Sequence, residues 1–485
     1  MSEAAVTMHT APSPRPATRR SPPAALLAAL HELLGQRLTQ SAAECLQHGS
    51  DESHFAPQPP DAVAYAESTE EVARIVGLCH AHATPVIAFG VGSSVEGHIL
   101  AVQGGICLDL SRMSAVLAIE PDNLTATAQA GVTRLALNAA LAGTGLFFSV
   151  DPGADASLGG MVATAASGTN TVRYGTMREN TVSLTVVTAE GKVIRTASHA
   201  RKSSAGYNLT QLFAGSEGTL GIVTEVTVRL HPQPECVAAA VVNFPDLHAA
   251  VRSVIQAIQM GVPLARAELL DALSIRAINA HSKTCHKEAP TVFFEFCGGR
   301  SQVDEQAATV AEIAGEYGGG GFAWSTLPEE RSRLWQPRHH AYFAALQLKP
   351  GCRSSTTDAC VPLARLGDCM AETLDDIATL GLPVPVLGHV GDGNFHCLVL
   401  MDPGRPEEVA QAEAFSARMA ARAIRFGGTC TGEHGVGLHK KAYLLQEHGE
   451  DAVELMARIK RALDPRDILN PGKVVPVPRG AERVV

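Results

Sequence analysis

Nothing in the sequence pairs its cysteines. The 11 cysteines form an odd set without a CxxC motif, which disfavours both a disulfide framework and an iron–sulfur cluster and points to a reducing compartment. No lysine-rich run offsets the formal net charge of -10, and that balance argues against a nucleic-acid partner. Apolar runs long enough to span a membrane, roughly 18 residues, are also missing. The expectation is a cytoplasmic protein with at most peripheral contact at the inner membrane. A complete dinucleotide fingerprint is absent too. Gly90-Val91-Gly92 follows an apolar run, but Val95 stands where the third glycine is required, and only Asp109 approximates the acidic residue expected further on. That departure excludes a Rossmann domain, and no nicotinamide site is evident.

What is present fits a globular chain of two or three domains, with 485 residues, 46% hydrophobic and 18% charged. The first 23 residues are rich in Pro, Ala, Ser and Thr, with Arg15, Arg19 and Arg20 against Glu3 alone. They read as a disordered extension rather than a targeting segment, because no apolar signal core follows. Residues 24–34 then read as a surface helix. A capping box of Ser68 and Glu71 opens a helix running to about His82, and Pro85 stops it. Strands are expected at 86–89, 106–110, 116–119 and 125–130, with a helix near 134–141. A hairpin at 182–188 and 192–196 turns at Glu190-Gly191, and a last strand at 222–230 meets a proline-marked boundary at His231-Pro232-Gln233-Pro234. Beyond it, helices are expected at 249–260, 303–317 and 366–380, a strand at 291–296, a loop at 318–321 and a helical tail at 442–463.

Three glycine-rich segments lie between the short strands. The first is Gly90 to Gly97, the second runs from Pro152-Gly153 through Ser157, Gly160, Ser167 and Gly168, and the third spans Gly215 to Ile222. Small side chains let a large flat ligand approach the backbone, and bare N–H groups can close around a pyrophosphate. Connecting turns in an ordinary α+β domain are the other reading.

A fourth stretch, Gly388-His389-Val390-Gly391-Asp392-Gly393-Asn394-Phe395-His396, has apolar flanks and an Asp-Gly turn signal. A two-residue turn there sets His389 directly opposite His396, and two such imidazoles can converge on one metal. Thr431-Gly432-Glu433-His434-Gly435 offers a third ligand. A polar hairpin with a chance histidine pair remains open at this point.

Seven blocks in order carry a resemblance. They are PVIAFGVGSSVEGH (85–98), VDPGADASLGGMVATAASGTNTVRYGT (150–176), SAGYNLTQLFAGSEGTLGIVTEVTVRLHP (204–232), LWQPRHHAYFAALQLKPGCRSSTTDACVP (334–362), GHVGDGNFHCLVL (388–400), GTCTGEHGVG (428–437) and LDPRDILNPGK (463–473). Through them the chain resembles the FAD-linked oxidases of the vanillyl-alcohol oxidase and p-cresol methylhydroxylase superfamily. Within that group it looks most like the D-lactate dehydrogenases that pass electrons to cytochrome or another acceptor. The resemblance implies an α+β fold, with a two-subdomain FAD-binding domain and a cap-like substrate domain built on an antiparallel sheet. The expected segments are an extension and helix at 1–49, the FAD domain at 50–234, the cap at 235–430 and a return to the FAD domain at 431–485. FAD is expected to bind noncovalently, since Ser93 and Ser94 stand where covalent relatives often place a histidine.

The implied flavin contacts are Gly90, Val91, Gly92, Ser93, Ser94 and Gly97 at the pyrophosphate, and Pro152, Gly153, Ser157, Gly160, Ser167, Gly168, Glu217, Gly221, Ile222 and Asn470 elsewhere. The family also implies a divalent metal, zinc or manganese, on His389, His396 and Glu433, with His434 as the base. Adjacent side chains of an extended segment point apart, which lets Glu433 face the metal while His434 faces elsewhere. A hydroxy acid loses a proton to the base and a hydride to flavin, with Arg338 clamping its carboxylate. Thr356 replaces a lysine found in relatives acting on larger dicarboxylates. That favours D-lactate over D-2-hydroxyglutarate, though Arg353 lies nearby. A D-2-hydroxyglutarate dehydrogenase or a glycolate oxidase subunit is the next enzyme reading, and a metal-dependent hydrolase the reading from another class. The expected partners are a small 2-hydroxy acid, a cytochrome, quinone or electron-transfer flavoprotein as acceptor, and a second copy of the chain in a homodimer.

Overall fold

The computed structural model describes residues 18–53 and 55–476. Most of the expected N-terminal extension, including Arg15, lies outside the described residues. The helix Ala24–Leu34 packs Leu26 and Leu30 onto the helix Thr69–Ala81, whose Val72, Ile75 and Val76 complete the contact. Beneath them is a four-stranded sheet in the order Leu38–Thr39, Ala62–Tyr65, Ile106–Asp109, Val86–Phe89. The last three strands are parallel, as expected where a helix connects strands of one sheet. Only half of the capping box forms. The Ser68 hydroxyl accepts from Glu71 N at 3.2 Å, but the Glu71 carboxylate takes Glu67 N at 2.9 Å and both arms of Arg37 at 2.6 Å. A guanidinium offering two donors outcompetes the single N–H of Ser68.

A second, antiparallel sheet follows in the order Val116–Glu120, Thr125–Gln129, Ile222–Arg229, Thr181–Val187, Val193–Arg195. The first glycine segment follows the edge strand Val86–Phe89, the second includes the helix Leu158–Thr164, and the third leads into the central strand Ile222–Arg229.

The cap is a larger antiparallel sheet. Its path is Gly320–Ser325, Cys236–Asn243, Thr291–Gly298, Arg266–Leu270, Val386–His389, Asn394–Met401, Arg353–Thr356. Alternate residues enter different cores. Val292 and Phe294 pack with Val251, Val310 and Phe415 from helices on one face, while Phe293, Leu387 and Leu398 pack with Ile275, Trp335 and Ala344 on the other. A sheet buried on both faces loses the apolar–polar alternation by which strands are read. Cys236–Asn243 and Arg266–Leu270 were accordingly invisible as strands, and Arg353–Thr356 was missed because its four residues are polar. The helices Pro328–Leu346 and Pro406–Arg425 were also missed.

Two further expectations fail for local reasons. Gly320–Ser325 pairs as an edge strand although it starts inside the expected loop. The helical tail is divided into Leu444–His448 and Glu450–Leu463 by Gly449, which adopts φ 79°. Among the described residues, no helix is long and apolar enough to cross a membrane.

Candidate active site

The histidine hairpin does not turn on two residues. His389 pairs with Asn394, and Leu387 with His396, leaving Val390–Gly393 as a four-residue connection. Asp392 N closes onto His389 O at 2.9 Å, and Gly393 takes φ 81° with its α-carbon against Val361, where a Cβ would meet Val361 O at 2.1 Å. The Asp-Gly signal is real but sits in the second half of the loop. The pairing is displaced by two residues, and side chains alternate with period 2, so both imidazoles keep the same face. They are diagonal neighbours, with ring centroids 5.5 Å apart.

Each histidine uses Nδ1 to hold its ring. His389 Nδ1 donates to Glu268 Oε1 at 2.6 Å, and His396 Nδ1 donates to Thr357 O at 3.0 Å. The Nε2 atoms lie 3.5 and 3.3 Å from Glu433 Oε1. Glu433 is steadied on its other oxygen by Ser167 Oγ at 2.6 Å. Burial works against charge on Glu433, but His389 and His396 outweigh it and hold the carboxyl well below its ordinary range. The potential ligand atoms of His389, His396 and Glu433 lie within 4.8 Å of one another. Two imidazoles and a carboxylate, with the rings fixed from behind, make a donor set that fits zinc or manganese.

His434 does not point away from this cluster. Its ring stacks on His396 at 5.2 Å with planes 12° apart, and Nε2 lies 3.9 Å from Glu433 Oε1. The separation expected of adjacent extended residues fails because Asp358 Oδ2 gathers the backbone N–H groups of both Glu433 and His434, at 3.0 and 2.9 Å, into a tight turn. His434 Nδ1 is buried without a hydrogen-bond partner among the described residues, with Glu96 Oε1 at 3.8 Å. Burial first, then the charges of Lys440 and His396, lower the His434 pKa, with Asp358 opposing.

Asp358 was not anticipated. With His396 and His434 it forms a second cluster of metal-ligand type, yet its oxygens already accept from Thr431 Oγ1, Asn394 Nδ2 and the two N–H groups, with Lys440 Nζ at 3.5 Å. It is the buried anion that shapes the loop. Lys440 also reaches Glu96 at 2.8 Å, and so joins this loop to the first glycine segment.

The histidine cluster opens onto one cavity of about 1160 Å³, larger than the usual small-ligand pocket. Gly90 to Ser94, Pro152, Gly153, Ser157, Gly160, Ser167, Gly168, Glu217, Gly221, Ile222 and Asn470 line it, together with His389, His396, Glu433, His434 and Arg338. Gly97 does not. Its N–H donates to Asp51 Oδ2 at 3.0 Å, and its φ of 76° serves the turn.

The glycines fit a large cofactor. A Cβ at Gly153 would meet nothing within 4 Å, so that wall is bare backbone, while one at Gly90 would sit 2.4 Å from Ser157 Oγ, where two loops converge. Glu217 carries a structural load as well: its two oxygens accept from Val436 N and Gly437 N at 2.7 and 2.8 Å. Asn470 Nδ2 donates to His98 O and Glu217 O.

Arg338 is not a surface residue. From the helix Pro328–Leu346 it bonds Glu268, whose side chain is 1% exposed. Arg266 also lines the cavity, held by Asn170, Asp151 and Glu295. Glu268 lies outside every quoted block, and Asp358 stands within the block 334–362 with no partner spacing to single it out.

Comparison with known proteins agrees with this architecture. A family described as "FAD binding domain" matches residues 60–197, and one described as "FAD linked oxidases, C-terminal domain" matches residues 233–474. The chain is 49% identical over 432 residues to the "Probable D-lactate dehydrogenase, mitochondrial" of Danio rerio, covering 88% of this chain and 87% of that protein. It is 42% identical to "D-lactate dehydrogenase [cytochrome], mitochondrial" of Arabidopsis thaliana, covering 94% and 80%. It is 34% identical to a glycolate oxidase subunit of Bacillus subtilis (strain 168), covering 86% and 89%. Among solved structures, p-cresol methylhydroxylase with substrate bound superimposes with a TM-score of 0.78 at 19% identity, covering 93% of this chain and 96% of that one; this likeness concerns the fold alone. With a glycine-lined cavity between two matched domains and close relatives along nearly its whole length, the chain belongs to the FAD-linked oxidases.

Proposed function

We propose that the protein oxidises a short D-2-hydroxy acid, D-lactate to pyruvate, and passes the electrons to an acceptor other than NAD, such as a cytochrome, a quinone or an electron-transfer flavoprotein. The observation that carries this reading is the meeting of the glycine segments with His389, His396, Glu433, His434 and Arg338 in one cavity. The names of the relatives from Danio rerio and Arabidopsis thaliana support the choice of substrate.

FAD, when bound along the glycine segments, supplies the hydride acceptor. A divalent metal would be held by His389, His396 and Glu433 and would supply Lewis-acid charge to the reaction. The chain's own residues do the rest. His434, with its pKa lowered, is neutral near pH 7 and takes the hydroxyl proton. Arg338 holds the carboxylate through the guanidinium hydrogens that Glu268 leaves free. Ser354, Thr356, Leu387 and Leu398 wall the cavity, whereas Arg353 is exposed and outside the lining. Arg353 is therefore not among the lining cations, and with Thr356 in place of a lysine this favours a monocarboxylate over D-2-hydroxyglutarate. A hydrolase using the same histidines would have no use for the glycine segments that share the cavity.

The test is an anaerobic screen of flavin reduction with D-lactate, L-lactate, glycolate and D-2-hydroxyglutarate. D-lactate should reduce the flavin at the lowest concentration. Preference for D-2-hydroxyglutarate would refute the substrate, and a protein purified without flavin would refute the class.

A further inference from the structure

We propose that Glu268 is a positioning residue that couples the grip on the substrate carboxylate to the grip on the metal. The inference rests on the reading of the site given above and extends it to a residue outside every motif described there.

Strand register places Glu268 directly opposite His389, and its side chain is almost fully buried. Its two oxygens are divided between two partners. Oε1 accepts from His389 Nδ1 at 2.6 Å. Oε2 takes Arg338 through Nε at 2.9 Å and Nη2 at 2.8 Å. The first bond fixes the imidazole plane and directs its Nε2 toward Glu433, as a carboxylate behind a ligating histidine does. The second fixes the guanidinium plane at two nitrogens and leaves Nη1 for another anion. One carboxylate thus sets the spacing between the group proposed to clamp the substrate and the group proposed to hold the metal. A displacement of Glu268 must disturb both.

A purely structural counter-ion would behave differently: its replacement would lower thermal stability and leave both binding constants alone. Glu268→Gln keeps the shape but removes the charge, and turns one oxygen into a donor that cannot accept from its partner. The experiment uses the FAD-loaded protein stripped of metal with a chelator. Mn²⁺ is titrated first. Pyruvate, which cannot reduce the flavin, is then titrated at saturating Mn²⁺ while the flavin spectrum is followed.

Relative to wild type, Glu268→Gln should weaken Mn²⁺ roughly 10–100-fold and pyruvate by about tenfold, the size of one lost charge-assisted hydrogen bond. Arg338→Lys should weaken pyruvate alone, and His389→Ala should weaken Mn²⁺. If Glu268→Gln retains flavin and shifts neither constant, or only one of them, the coupling is refuted. Should Glu268→Gln lose flavin, Glu268→Asp replaces it. That variant keeps the charge on a side chain one methylene too short to reach both partners, and the same double weakening is required of it. Wild-type protein that binds no Mn²⁺, or binds it equally after His389→Ala, would refute the underlying site reading instead.

Discussion

His389 and His396 divide their nitrogens alike: Nδ1 goes to the protein, at Glu268 and Thr357, and Nε2 faces Glu433. Loss of either ring should therefore lower bound metal and activity together. Metal analysis of His389→Ala and His396→Ala checks this, and full occupancy in either would remove that residue from the metal site. The histidine pair was legible as a metal candidate because it stands in a short, turn-marked motif, while Glu433 entered as a ligand through the family resemblance. Glu268 and Asp358 were not legible, since each acts across a large sequence separation, 121 residues to His389 and 76 to His434. An acid whose partners lie so far along the chain gives no spacing to read. The face shared by the two histidines survived a wrong turn assignment because alternation depends on parity, whereas their direct pairing depended on a loop length that only packing against Val361 decides.

Elements, rather than single side chains, set the rigidity of the site. The hairpin loop depends on Gly393, where a side chain would meet both a left-handed backbone and the Val361 carbonyl. Gly393→Ala should cost roughly 1–3 kcal/mol and lower metal occupancy while flavin stays bound; a thermal scan with metal and flavin analysis measures all three.

The helix Ala42–His48 is pinned to the end of the strand Ile106–Asp109 by its last residue. His48 donates Nδ1 to Glu44 O at 2.8 Å and Nε2 to Asp109 Oδ2 at 2.9 Å. Burial favours the neutral ring, but these bonds and charges prevail and raise its pKa above 6.5. A raised folded-state value means that the contribution is complete below about pH 6.5 and fades as pH rises through the folded-state value. The gap in melting temperature between wild type and Asp109→Asn should accordingly narrow as pH rises above about 6.5; a constant gap would show that His48 carries no such charge. The glycine connections and the helix Thr69–Ala81 were readable from local signals. In the cap, the strand Thr291–Gly298 and the histidine hairpin were readable, but Cys236–Asn243 and Arg266–Leu270 were not, because a sheet covered on both faces loses its alternation and its pairing is set by segments far apart.

At the level of the whole molecule, the groups proposed to react belong to three parts of the chain that meet only after folding. The glycine segments come from the first domain and the histidine hairpin from the cap sheet. The Glu433-His434 turn is tied back to the first domain through Ser167, Glu217 and the Lys440–Glu96 pair. Their convergence makes one redox site out of a cofactor cradle and a metal-type cluster. The most direct test is anaerobic, single-turnover reduction of the bound flavin by D-lactate in wild type and His434→Ala. The account predicts rapid reduction in wild type, little with L-lactate, and a rate at least about 10²-fold lower in the variant with its flavin retained. Reduction of His434→Ala at the wild-type rate, or equal reduction by the two enantiomers, would contradict it.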